Sequence, residues 1–195
     1  MRLPDTEHTS RPWRIHEITR DFRLLDVWAL PTPGGPDDFP RLLGLWSSYD
    51  PTRGSSLVVR ALFAIRAKLG ELLGWDGLDT TRGHVNPTLR DRLPDDLRSG
   101  PSGPERIAPF KSLYQTDNEW AAEIVNRTVH GVIHLGWVPD PAGEYRGQLA
   151  ILVKPNGLLG TGYVAAIAPF RHLIVYPRML REVGRNWCAY ARNRR

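Results

Sequence analysis

The stretch that decides the fold runs from Arg146 to Trp187: RGQLAILVKPNGLLGTGYVAAIAPFRHLIVYPRMLREVGRNW. Its first part reads as a strand, Asn156-Gly157 as a tight turn, and the remainder as one very long apolar helix. Large apolar side chains at Tyr163, Ile167, Phe170, Leu173/Ile174, Leu180, Val183 and Trp187 follow three- and four-residue steps, which keep them on one helix face. A helix of that length closing a single domain needs a broad surface to lie on, and a curved antiparallel sheet supplies one. Sheet and helix together can enclose a cavity, so the pattern points to a container for a small molecule. Pro169 and Pro177 each remove one helical hydrogen bond, and a bend is expected near both.

Upstream, Thr128 to Val138 and Tyr145 to Lys154 read as two long strands joined by the turn Pro139-Asp-Pro-Ala-Gly-Glu144. Thr116-Asp-Asn-Glu119 matches a capping box, but Asn126-Arg127 turns the chain into the next strand, so Glu119 to Val125 is read as a strand too. Near the N-terminus, Trp13 to Ile18 alternates apolar and polar residues as a strand does, and Phe22 to Leu30 has strand-like content. Asp37 or Asp38 caps a short helix through Trp46, and Leu57 to Leu73 forms a second helix ended by Gly74. Residues 1–12 are polar and expected to be flexible; 13–190 form one domain, with 76–109 a loop-rich insertion or lid; 191–195 are a basic tail.

The chain has 195 residues and a net charge of +5. Residues 171–195 hold seven arginines against Glu182, an excess of six, so the rest of the chain sums to about minus one. No interleaved aromatics or nucleic-acid motif accompany this basic end, and nucleic-acid binding is not expected. The lone Cys188 makes no internal disulfide, and no secretory signal or membrane span is legible; a cytoplasmic protein is expected. No metal or cofactor motif is legible either. Gly157-Leu-Leu-Gly160-Thr-Gly162 lacks the order and the terminal Lys-Ser/Thr of phosphate-binding loops, and its glycines are read as allowing the first helical turn close to the sheet.

Lys154-Pro-Asn-Gly-Leu-Leu-Gly-Thr-Gly-Tyr163, followed by Pro169-Phe170-Arg171-His172-Leu173-Ile174 and Met179, resembles the closing motif of the DUF2867 family, of the form G-L-x-G-x-x-Y, then P-F-H or P-F-R-H, then L-I and a Met. The resemblance implies an α+β fold in which a curved antiparallel β-sheet grips a long C-terminal α-helix around a hydrophobic cavity. That is the helix-grip arrangement of the SRPBCC superfamily (START-like, Bet v 1-like and polyketide-cyclase-like proteins). It transfers no catalytic residues.

His130 and His134 form the most tempting chemical pair. In a strand they share a face about 13 Å apart, too far for one zinc. One face of that strand carries Val129, Ile133, Leu135 and Trp137, the other His130 and His134 with Thr128, Arg146, Gln148 and Lys154 nearby. Either the first face is core and the second meets solvent, or the polar face lines a cavity where His130 or His134 acts as acid or base. The expected function is binding of a small hydrophobic or amphipathic molecule by Tyr114, His134, Trp137, Tyr163, Phe170 and Arg171. The alternatives are a cyclase-, aromatase- or isomerase-like enzyme using a pocket histidine, and a non-catalytic module whose basic C-terminal face docks an acidic partner.

Overall fold

The computed structural model describes residues 1–47, 88–104, 110–126, 128–140 and 142–192. The expected helix Leu57 to Leu73 lies outside them, as do 76–87 and 105–109 of the expected insertion. Six strands form one open antiparallel sheet: β1 (Arg2–Leu3), β2 (Arg23–Ala29), β3 (Lys111–Gln115), β4 (Glu119–Val125), β5 (Val129–Pro139) and β6 (Tyr145–Pro155), in the order β1-β2-β6-β5-β4-β3. β3 to β6 are a meander, and β2 adds to the free edge of β6. Glu119 to Val125 is therefore a strand: its capping-box residues sit in the β3–β4 turn, where Thr116 Oγ1 accepts from the Glu119 N–H at 3.2 Å. The fold class is α+β, an open sheet with a C-terminal helix. Among the described residues no helix is long and apolar enough to cross a membrane.

The sheet is covered on both faces. On one face, Leu135 and Trp137 of β5, Leu149 of β6 and Trp28 of β2 pack against helix α3 (Phe39–Ser47) and the C-terminal helix. That terminal helix runs as α5 (Gly157–Phe170), a π-helical turn (Arg171–Val175) and α6 (Tyr176–Arg192). Tyr176, Met179, Val183 and Trp187 are its buried stripe. Arg41 of α3 ties it down, lying 3.7 Å above the Trp187 ring and donating to the Trp187 carbonyl at 2.7 Å. The stripe read from sequence is shifted, since Leu173 is 77 % and Phe170 49 % exposed. The wider turn uses more residues per revolution than an α-helix, so a pattern phased in α5 does not continue into α6.

The opposite face is covered rather than wet. Ile15 and Ile18 of helix α2 (Ile15–Ile18), together with Leu89, Leu93 and Leu97 from a 3₁₀ turn (Leu89–Arg92) and helix α4 (Asp95–Ser99), cluster with Val132, Ala150 and Leu152 of the sheet. Trp13 to Ile18 is therefore not a strand; Ile15 and Ile18 are one helical turn apart and point at the sheet together. Residues 1–12, expected to be flexible, supply β1 and the short helix α1 (Thr6–Thr9), whose His8 is buried. The described part of the expected lid buries its leucines against this face. Two glycines allow close approach: a Cβ at Gly136 would meet the Trp13 indole at 2.7 Å, and one at Gly160 would overlap the Thr128 carbonyl oxygen.

Candidate functional site

Two backbone irregularities converge on Asp26. In β2 the register against β6 shifts between Leu24, opposite Leu152, and Asp26, opposite Ile151. Residues two apart on a regular strand share a face; the extra residue, Leu25, puts Leu24 with the α2 side and Asp26 with the terminal-helix side. The second irregularity is the π-helical turn itself. Pro169 and Pro177 flank it, neither has an N–H to give, and the backbone between them widens to longer-range hydrogen bonds. That turn brings Arg171, His172 and Tyr176 to one carboxylate.

Asp26 is fully buried. Arg171 Nη2 lies 3.1 Å from its Oδ2, Tyr176 donates its hydroxyl to Oδ2 at 3.0 Å, His172 Nε2 lies 3.3 Å from Oδ1, and Arg2 Nη2 approaches Oδ1 to 3.6 Å. The Trp28 ring packs 4.7 Å from Tyr176 and 6.2 Å from His172. Burial, then the adjacent carboxylate, push the Tyr176 hydroxyl well above the usual phenol range, so it stays a donor. Asp26 Oδ1 has the ionic contacts of His172 and Arg2, whereas two buried donors of this centre, Trp28 Nε1 and Arg171 Nε, have no hydrogen-bond partner. Such atoms are rare in folded proteins because each costs roughly 1–3 kcal/mol. Arg171 also lines a groove of about 200 Å³ that runs between the sheet and α5, with Arg23, Leu25, Val153, Thr161, Val164 and Ala168 among the other lining residues.

The histidines singled out from the sequence lie on the opposite face, and neither meets solvent. β4 sets its two glutamates diagonally across from them: Glu119 Oε2 is 2.8 Å from His134 Nε2, and Glu123 Oε2 is 2.7 Å from His130 Nε2. Glu119 also accepts from the Tyr114 hydroxyl at 3.1 Å and the Arg14 N–H at 2.9 Å. Burial alone would raise the Glu119 carboxyl; these donors outweigh it and hold the group below the usual range. Its charge fixes the His134 proton on Nε2, which leaves Nδ1 to accept from His8 Nε2 at 3.3 Å. Desolvation, with His134 and His16 beside it, lowers His8 to about 2. Glu123 takes the Leu89 N–H at 3.0 Å and the Thr88 hydroxyl. Each glutamate thus clamps one covering segment to the sheet, 1–22 through Glu119 and 88–99 through Glu123. A separate recess of about 670 Å³ opens at the end of the sheet, lined by Trp13, Asp37, Thr116, Glu119, Trp137 and Tyr145 among others.

The six expected binding residues do not form one cluster. Tyr114 and His134 meet on Glu119. Trp137 lies on the other face, its indole donating to the Gly35 carbonyl at 3.0 Å and its ring 5.9 Å from that of Trp187. Tyr163 is half-buried on α5, Phe170 is exposed, and only Arg171 belongs to the Asp26 centre. Asp26, Trp28, His172 and Tyr176 were not singled out as site residues. The available signal was Asp26 itself, one charge inside the apolar run Leu24-Leu25-Asp26-Val27-Trp28.

Fold and site together define an α+β protein with an open six-stranded antiparallel sheet and a C-terminal helix, joined at a buried carboxylate. The chain belongs to DUF2867, a family described as proteins of unknown function, whose family model matches residues 18–178. No curated protein and no solved structure matches it.

Proposed function

We propose that the protein binds a small amphipathic molecule without covalent chemistry, its apolar body in the groove between sheet and α5 and its polar end at the Asp26 centre. The observation that carries this reading is a largely apolar groove one of whose lining residues, Arg171, keeps a buried Nε donor without a hydrogen-bond partner while its Nη2 reaches the buried Asp26. A ligand with a hydrogen-bonding end would partner that donor, which is how largely apolar pockets fix orientation. In this reading the arrangement is a helix-grip of the SRPBCC kind, with Asp26 holding the two halves of the terminal helix in place around the bound molecule. His130 and His134 are structural clamps in this account, since both are enclosed by protein on every side.

Native mass spectrometry of gently purified protein, followed by thermal-shift measurements over a panel of short amphipathic compounds, tests the proposal. Ala165 lines the groove yet is exposed, so Ala165→Trp covers the groove without entering the core. Expected are a compound that raises the melting temperature of the native chain and the loss of that shift in Ala165→Trp. A panel with no shift, or shifts unchanged by Ala165→Trp, removes the groove as a binding site.

A further inference from the structure

We propose that the bound molecule carries an anionic oxygen head, a carboxylate or a phosphate, on a short apolar body; this deepens the binding reading above and rests on it. The groove's charged lining residues are Arg23 and Arg171, and no carboxylate lines it among the described residues. Leu25, Val153, Val164 and Ala168 offer side chains with no hydrogen-bonding capacity, and the hydroxyl of Thr161, the remaining polar side chain of the lining, donates to the Gly157 carbonyl at 3.1 Å. Selectivity for a charged head group therefore falls to the two guanidiniums and to the centre behind Arg171.

That centre is short of negative charge. One buried carboxylate, Asp26, faces the guanidiniums of both Arg2 and Arg171, with the His172 imidazole against the same oxygen as Arg2. An ammonium head would add a further cation where two already share one anion; an anionic head evens the count. Geometry favours the same class. Asp26 Oδ2 fixes the Arg171 fork through Nη2, while Nε of that fork stays buried without a partner. A planar guanidinium held this way suits two oxygens of one group.

Titration calorimetry of the full chain at pH 8 and low ionic strength, with hexanoate, hexyl phosphate, hexan-1-ol and hexylamine, tests the assignment. Expected is binding of one or both anions about tenfold or more tighter than hexanol, with hexylamine weakest, and a gap that narrows on adding salt. Whichever anion binds tighter identifies the head. Arg171→Met should cut anion affinity about tenfold while leaving hexanol unchanged; Arg23→Met, at an exposed position, gives the same comparison if the first variant does not fold. Equal affinity for hexanoate and hexanol, or a preference for hexylamine, overturns the anionic head and leaves the groove reading standing. Absence of binding by all four, or anion binding retained in Ala165→Trp, overturns the groove reading itself.

Discussion

Glu119 is the residue on which most of the covered face depends, since it satisfies three donors from three parts of the chain while carrying a buried charge. Replacing it by Gln keeps the shape but turns one acceptor into a donor facing other donors. Glu119→Gln is expected to cost about 2–3 kcal/mol in urea unfolding, with no change in ligand affinity at the groove on the other face. Linkage makes a second prediction. His8 and His134 are both held neutral in the fold, below their ordinary 6.5, and they titrate normally when unfolded. A lowered histidine takes up its proton more readily in the unfolded chain, so stability is level above about pH 6.5 and falls as the pH drops below it; His8, lowered to about 2, contributes about 1.4 kcal/mol per unit, and His134 adds to the decline in the same direction. The lowered carboxyls of Glu119 and Glu123 have an ordinary value of 4.5 and stay ionised above it, so the window from 6.5 to 4.5 isolates the histidines. Urea midpoints should decline through that window, and His8→Phe should leave the slope of His134 alone. The sequence displayed these imidazoles but not their partners, because a diagonal contact between β4 and β5 exists only once the register is set.

At the scale of elements, the terminal helix separates what is local from what is not. Its existence and start were legible, and so was the close approach of its first turn to the sheet, which rests on Gly160 and not on Gly162. Gly160→Ala should therefore lower the melting temperature, because its methyl meets the Thr128 carbonyl. Gly162→Ala, with open space around the added carbon, should raise stability by up to about 1 kcal/mol through helix propensity alone. Calorimetry of the pair decides whether that turn is packed as described. The phase of the stripe beyond Phe170 was not legible, since the prolines announce a disturbance without saying whether it is a kink or a widened turn. The bulge at Leu25 left no mark in the sequence at all, because an extra residue in β2 is defined only against its partner β6.

For the whole molecule, the two covered faces imply that the N-terminal segment is part of the folding unit. Deleting residues 1–12 removes β1, Arg2 and His8, and exposes the Glu119–His134 pair. The truncated chain should show a lower unfolding midpoint and new binding of an apolar dye, whereas a loosely attached segment would leave both unchanged. By itself, the sequence determined the α+β class, the β5–β6 pair with its flanking strands and the long closing helix, because hydrophobic period, turn residues and caps act over a few positions. Tertiary structure alone decided which residues meet. A polar segment at 1–12 became structural because it covers a sheet face whose histidines need partners. Asp26 became the centre of the candidate site because a bulge in one element and a wide turn in another, 145 residues apart from Asp26 to Arg171, face each other across the core. Contacts at that separation depend on register, and register is a property of paired chains, which no single stretch of sequence contains.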